Sequence, residues 1–386
     1  MSLKIFSGNS GIPIDHQEGM ATNYTIENLD TYDTPFLAVY PDKIRRNIDL
    51  LISMFGSKNQ VRPHVKTHKC PEVVRLFIVA GITKFKCATV AEAEMLAING
   101  AEDILIAYQP VGPKIDRFIN LMLQYPASRF SCLVDHITSA TQISDAASDS
   151  GVMAEVWIDL NVGMDRTGIV PGDEVIKLFH RCSSLNNIKI LGLHAYDGHL
   201  TEPNEKVRLA RAEAGFNTVR NLVSELEYSG FDTPRIVAGS TPTIRFYAKH
   251  PDVECSPGTC VYWDRHYQDS FPELGFEAAA AVVTRVISKP HTETACLDLG
   301  YKSVSSEGKP DERIWMPELP EAMVISQSEE HLLVSGTPKL QVGDAVYGLP
   351  YHIGRTCNLY EGCAVVEQRQ IVSRWNHTAR SRHINI

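Results

Sequence analysis

Apolar positions along this chain change period in a regular way. TPFLAVY (34–40) is a short apolar run that reads as a strand. PDKIRRNIDLLISMF (41–55) repeats its apolar residues every three to four positions, as an amphipathic helix does, with Pro41 near its first position. Short β-rich runs then fall near 61–66, 84–89, 103–108, 129–135, 153–160, 188–196, 234–239 and 253–256. Helical stretches near 70–81, 90–100, 112–124, 137–149, 172–183, 204–229 and 242–249 lie between them. In CATVAEAEML, Thr89 is placed to cap a helix and Glu92, three residues on, to complete a capping box. Eight strands alternating with helices predict a parallel sheet, closed as a barrel or open and doubly wound.

From about residue 277 the texture changes. FEAAAAVVTRVISKP, HTETACLDLG, AMVISQSEEHLLVS, DAVYGLP and EGCAVVEQRQIVSRW are strand-like runs without long helices between them. The expected fold is therefore α/β: a (β/α)8 TIM barrel over 41–275 and a C-terminal β-rich domain over 276–386. Segment 1–40 precedes the barrel, opens irregularly around Gly11-Ile12-Pro13, and its strand is free to join the β domain.

Composition narrows the functions open to such a fold. The formal net charge of -9 gives no positive field for a nucleic-acid backbone. The nine cysteines are scattered without a CxxC pair and read as reduced thiols. MSLKIFSGNS lacks the apolar core of a signal peptide, and no run reaches transmembrane length. A cytoplasmic protein with no nucleic-acid or membrane partner is expected.

VRPHVKTHK (61–69) carries the strongest chemical signal. On a strand, Arg62, His64 and Lys66 share one face and Val61, Pro63 and Val65 the other. Burying three basic groups costs several kcal/mol unless partners or a ligand compensate. Neighbouring cations and desolvation also favour the free amine that attacks a carbonyl. The bland alternative is an exposed basic edge strand.

Later strand ends, where barrel active sites form, are polar too. IDLNVGMDRTG (158–168) brings Asp159, Asn161 and Arg166; LGLHAYDGHL (191–200) brings His194, Tyr196 and His199. Each His or Tyr alone reads equally well as a satisfied core residue. AGSTPT (238–243) sets Gly239, Ser240, Thr241 and Thr243 around a helix start at Pro242, and SPGTCVYWD (256–264) places Gly258 and Thr259 similarly. Hydroxyls, glycines and free amides after strands seven and eight suit a phosphate, although an ordinary helix cap explains either run alone. No dinucleotide or P-loop motif appears. GLPYHIGRTCNLYEG (348–362) holds His352 and Cys357, with Cys363 just beyond, at a spacing unlike a structural zinc site.

PHVKTHK, the ATVAEAEML helix, YDGHL, GSTPT, the PGT-V-Y-D run and HIGRTCNLY resemble the D-threonine aldolase and D-serine dehydratase family of alanine-racemase-like pyridoxal phosphate enzymes. The likeness runs from about Thr34 to Trp375 with its motifs in family order. It implies pyridoxal 5'-phosphate as a Schiff base on Lys66, with His64, Gly239, Ser240, Thr241, Gly258 and Thr259 around the cofactor and its phosphate. It implies Arg166 and Tyr196 beside the ring, His199 near the substrate hydroxyl, and His352 as first ligand of a divalent metal. The family places a metal-ligating Cys or Asp two residues after that histidine. Here the position is Gly354, which has no side chain to ligate. The resemblance also implies a homodimer whose sites are completed by the partner's β domain.

The expected activity is lysis of a D-β-hydroxy amino acid, by retro-aldol cleavage to glycine and an aldehyde, with Lys66, His199 and His352 catalytic. The alternatives are dehydratase-type elimination, racemisation, and a non-catalytic pyridoxal phosphate carrier. A cofactor-free lysine aldolase acting on a phosphorylated sugar is a further one.

Overall fold

The computed structural model describes residues 24–386. The breaker at Gly11-Ile12-Pro13 lies outside the described residues. Strand β1 (Phe36–Val39) leads into helix α1 (Pro41–Ser53), with Pro41 at its first turn. Seven parallel strands follow: β2 (Lys84–Cys87), β3 (Asp103–Ile106), β4 (Arg129–Val134), β5 (Ala154–Leu160), β6 (Ile188–Ala195), β7 (Arg235–Ala238) and β8 (Val253–Cys255). Each pairs with the next in chain order. Helices α2 (Pro71–Val79), α3 (Val90–Ile98), α4 (Pro113–Gln124), α5 (Ile137–Asp149), α6 (Asp173–Ser183) and α7 (Glu205–Tyr228) alternate with them. The predicted capping box forms in altered form: Thr89 Oγ1 accepts from Glu92 N–H at 3.1 Å, while Glu92 Oε2 accepts from Ala88 N–H at 2.7 Å.

The eighth position of the ring is not a full strand. Residues 61–64 are extended and make single bridges to both neighbours, Val61 to Cys255 and His64 to Lys86. Arg62 N–H donates to the Cys255 carbonyl at 2.9 Å, His64 N–H to that of Pro257 at 2.8 Å, and Lys86 N–H to that of Pro63 at 2.9 Å. Pro63 has no N–H, so a continuous ladder cannot form. At Val65 the chain leaves the pleat for a 3-10 turn over Val65–Thr67. The strand expected over 61–66 is thus shorter, and Lys66 rides on a turn at the mouth.

Alternation along the strands fills the barrel in layers. At the floor Arg62, fully buried, binds Asp103 and Glu254 at 2.7 Å each. Arg129, Arg235 and Lys84 surround the same two carboxylates. The middle layer is apolar: Leu105, Leu133, Trp157 and Val237. Above it stand His64, Lys86, Asp159 and His194, all buried. The three basic residues of VRPHVK therefore occupy three heights, and Arg62 belongs to the floor rather than to the site.

Helix α8 (Ile244–Tyr247) lies between β7 and β8, and α9 (Arg265–Ser270) follows β8. The helix expected over 242–249 is broken. A 3-10 turn over Thr241–Thr243 comes first, and α8 has only four residues.

The remaining strands are β9 (Ala280–His291), β10 (Thr294–Leu297), β11 (Ile314–Trp315), β12 (Met323–Gln327), β13 (Leu332–Ser335), β14 (Ala345–Pro350), β15 (Gly362–Glu367) and β16 (Gln370–Asn376), with helix α10 (Ile353–Cys357) between β14 and β15. They form one mixed sheet, and β1 lies inside it, antiparallel to β9 and parallel to β15. An apolar cluster runs from the barrel helices into one face of this sheet, through Leu37, Val282 and Val365. All nine cysteines are free thiols. Among the described residues no helix is long and apolar enough to cross a membrane.

The Arg62 floor generates a stability prediction. Replacing Arg62 with Met leaves two carboxylates facing each other in the barrel, at an expected cost of about 3–5 kcal/mol. Urea denaturation followed by tryptophan fluorescence reads the loss, since Trp157 sits in the next layer.

Candidate active site

A cavity of about 670 Å³ opens where the C-terminal ends of the barrel strands meet the β domain, lined by Lys66, Glu92, Thr259, Asp264, His352 and Arg355 among others. Lys66 projects into it from the 3-10 turn and is exposed, where the sequence pattern had placed it in a packed interior. His64 caps that turn: its Nδ1 accepts from Lys66 N–H at 3.2 Å. Burial, then the charges of Lys66 and Lys86, hold the His64 imidazole well below its usual pKa. His64 is thus a neutral, inward anchor for the turn that carries Lys66.

Tyr196 is the hub of the barrel mouth. Lys66 Nζ lies 5.6 Å from its ring centroid, Lys86 Nζ 5.2 Å and the Arg166 guanidinium 5.1 Å. Three cations around one aromatic ring form a strongly positive environment. Gly198 makes room for the ring, because a Cβ there would collide with it. Arg166 arrives on the loop after β5, which Asn161 organises by accepting from Gly163 and Asp165 amides at 3.1 Å each.

Behind the ring, His194 Nδ1 bonds Asp159 Oδ1 at 2.7 Å, and Gln109 donates to Asp159 Oδ2 at 2.8 Å and to Asp135 Oδ2 at 2.9 Å. His194 Nε2 is buried with no partner among the described residues. His199 stands apart from the 670 Å³ cavity, beneath Gly163, where a Cβ would lie 3.2 Å from the His199 Nε2.

The loops after β7 and β8 are tied together by one hydroxyl. Thr241 Oγ1 accepts from Gly258 N–H at 3.1 Å and Thr259 N–H at 3.3 Å. Gly258 packs so closely that a Cβ would stand 2.9 Å from the His64 carbonyl oxygen. Gly239 has φ +83° and presses on the Tyr247 ring. Ser240 N–H is already engaged by Thr243 Oγ1 at 3.0 Å, and Thr243 binds Asp197 Oδ1 at 3.0 Å. Ser256 Oγ is buried without a partner among the described residues. Close-packed glycines, loop hydroxyls, an orphaned hydroxyl and nearby cations fit a phosphate-bearing ring compound held by Lys66.

The metal expected at His352 does not fit. Gly354 offers no donor, Cys357 is buried at the end of α10, and no group of three or more His, Cys, Asp or Glu among the described residues is arranged to hold a metal ion. His352 is half-buried with its ring 5.5 Å from that of His266. Burial, then His266, lowers its pKa below the usual histidine value. Burial lowers that of His199 as well.

Two buried titratable groups near the candidate site escaped the sequence pattern. Asp264 is buried, which raises its pKa to about 7, and its oxygens accept from Tyr267 N–H at 2.9 Å and Ile353 N–H at 3.2 Å. It holds the residue that follows His352. Lys86 is fully buried, and burial, then the charge of Lys66, pushes its pKa down to about 7. KFKC (84–87) carried the signal, since Lys84 and Lys86 alternate onto the inward face as Arg62 and His64 do.

A depressed lysine pKa makes the folded protein bind fewer protons than the unfolded chain between about pH 7 and the ordinary lysine value of 10.5. The cost of burying the charge is full below pH 7 and fades as pH rises through that window. Lys86→Met is expected to stabilise the cofactor-free protein by on the order of 3 kcal/mol at pH 6.5, and by much less at pH 10. Urea midpoints at the two pH values check this.

Comparison with known proteins agrees with this architecture. Residues 39–266 match the alanine racemase N-terminal domain family, and residues 279–366 match a putative serine dehydratase domain. A D-threonine aldolase of Arthrobacter sp is 29% identical over 363 residues, 91% of this chain and 94% of that protein. A 3-hydroxy-D-aspartate aldolase of Paracoccus denitrificans (strain Pd 1222) is 25% identical, covering 94% of this chain and 97% of its own. The crystal structure of D-threonine aldolase from Filomicrobium marinum superposes with a TM-score of 0.85 at 25% identity, covering 94% of this chain and 99% of the other. The chain belongs to the alanine racemase-like family, in the D-threonine aldolase and D-serine dehydratase group that joins this barrel to a serine dehydratase-type β domain.

Proposed function

We propose that the protein is a pyridoxal phosphate-dependent lyase that cleaves a D-β-hydroxy amino acid to glycine and an aldehyde. The observation that carries this is that Lys66 and His352 line one cavity, the first from the barrel and the second from the β domain. Family membership implies the cofactor, and the relatives named D-threonine aldolase and 3-hydroxy-D-aspartate aldolase support the reaction class.

Lys66 would hold the cofactor, with Ser240, Thr241, Gly258 and Thr259 at its phosphate and Arg166 and Tyr196 at its ring. Bound there, pyridoxal phosphate supplies an electron sink for the pair left on the substrate α-carbon. His352, neutral at working pH because its pKa is lowered, takes the proton from the β-hydroxyl oxygen. The Cα–Cβ bond then breaks, the aldehyde leaves, and the α-carbon is reprotonated to give glycine. Asp264 keeps His352 in place through the Ile353 amide. His199 lies farther from the cavity and is assigned a supporting role beneath the 161–168 loop.

Dehydration is the second reading, favoured by the match of 279–366 to a serine dehydratase domain. It differs in taking the α-proton and expelling the hydroxyl. Products from D-threonine separate the two: glycine and acetaldehyde for cleavage, 2-oxobutyrate and ammonia for elimination.

Borohydride reduction of the holoenzyme is expected to fix the cofactor on Lys66, read by peptide mass. A label on Lys86 or none at all would remove the central assignment. His352→Asn is expected to lower kcat on the order of 10²–10⁴-fold while leaving the visible cofactor spectrum intact. Because Gly354 replaces the second ligand and no group of three or more His, Cys, Asp or Glu among the described residues is arranged for a metal, dialysis against a chelator is expected to leave turnover unchanged.

A further inference from the structure

We propose that Arg382, aided by Lys114, forms the subsite that binds a carboxylate group of the substrate. This rests on the lyase reading of the main cavity. It adds a specificity determinant from a segment beyond both matched domains, which end at residues 266 and 366.

After β16 the chain makes a 3-10 turn over Thr378–Ser381, and Arg382 follows in the left-handed conformation with φ 66°. The tail then lies against barrel helices α3 and α4. Arg117 of α4 donates to the main-chain oxygens of Arg382 at 2.9 Å and Ile386 at 2.7 Å. Glu94 of α3, fully buried, accepts from Asn385 N–H at 3.1 Å and Ile386 N–H at 3.3 Å. Tyr125 Oη donates to the same carboxylate at 2.9 Å. A buried carboxylate committed to two tail amides is costly unless those bonds persist, so Arg382 is delivered to a fixed place.

That place is the wall between two cavities. Arg382 lines the 670 Å³ cavity together with Lys66, and also a side pocket of about 160 Å³ that shares Ala88, Thr89 and Tyr108 with it. The side pocket has Lys114, Arg117, Arg382 and His383 among its lining and no acidic residue, over an apolar floor of Ile106 and Phe118. Lys114 Nζ is held 4.4 Å over the Tyr108 ring.

The remaining cations of the main cavity are engaged. Lys69 lies 3.8 Å from Glu92 and bonds Asn358, and Arg355 is paired with Glu307. Lys66 is reserved for the cofactor. Arg382 makes no close ion pair among the described residues and acts on Glu92 of the same cavity only at longer range, and a planar guanidinium matches a carboxylate in a bidentate fork. An amino acid brings at least one carboxylate into this cavity, and Arg382 is the cation placed to meet it.

The carboxylate can be the one on the α-carbon or a second one on the side chain. The test is steady-state kinetics of the holoenzyme and its Arg382→Gln and Arg382→Lys variants on D-threonine and on a D-β-hydroxy amino acid with a side-chain carboxylate. Succinate binding is measured in parallel by calorimetry. Arg382→Gln is expected to raise KM at least tenfold with kcat within about threefold, and Arg382→Lys to recover part of the loss. A rise for both substrates assigns the α-carboxylate, and a rise for the dicarboxylate alone assigns the side-chain group. An unchanged KM on both substrates overturns the subsite while leaving the lyase intact. If the wild type turns over neither substrate, the lyase reading fails and succinate decides the subsite alone. A tenfold weaker affinity in Arg382→Gln supports it, and equal affinity overturns it.

Discussion

Closure of the barrel at residues 61–64 is the constraint on which the site depends. A ring of parallel strands is stable only if its first and last members meet, and here they meet through a segment interrupted by Pro63. Three backbone hydrogen bonds bind it to β8, the loop after it, and β2. Arg62 fastens the floor by pairing with Asp103 and Glu254, residues on strands on either side of the seam. Burial opposes ionisation of both acids, yet Arg62, together with Arg129, Arg235 and Lys84, outweighs it and their pKa values fall below the usual carboxylate range. With the floor fixed, alternation sets His64 one layer higher and delivers the chain to the mouth at Lys66. The same short run thus closes the fold and positions Lys66 at the mouth, so the two cannot be separated by sequence drift within it.

The mouth itself is electrostatically unfinished in the protein alone. Lys66, Lys86 and Arg166 converge on Tyr196, and burial together with mutual repulsion drives Lys86 toward neutrality. An anionic cofactor relieves that repulsion, and a ring compound matches the aromatic hub. The close approaches of Gly239 to Tyr247 and Gly258 to His64 compress the loops that would face its phosphate. The like charges at the mouth are therefore left without the internal ion pairs that compensate charge at the floor.

Much of this was legible in the chain. The switch of apolar period located strands β2 to β8 within a residue or two, because strands and amphipathic helices expose different periods to the core. The inward alternation of VRPHVK is seen at Arg62 and His64. It fails at Lys66, since a 3-10 turn after Pro63 is a local event that period-two reasoning does not see. Arg62 was indistinguishable in the pattern from a site residue, because floor and mouth residues share one face and height is set by register. The loops after β7 and β8 lie where the pattern puts them, but the helix between them is shorter than its period suggests: Ser240 and Thr243 cap each other and stop it short. Arg382 gave no signal, as a basic residue in a polar tail reads as solvated until Glu94 and Arg117 are seen to hold its backbone.

The β domain argues against a carrier that merely binds the cofactor. A barrel alone can hold a Schiff-base lysine and a phosphate. Here a second domain adds His352 to the lining of the Lys66 cavity. It is locked there by Asp264, a barrel residue whose carboxylate accepts the amide of Ile353 in a site buried enough to raise its pKa to about 7. Burying an acid costs free energy that storage of a cofactor does not require. The cost is understandable if the imidazole must keep its distance from a reacting hydroxyl. With glycine at 354 offering no side-chain donor, His352 is the imidazole in the lining of the Lys66 cavity that is left to handle a proton there.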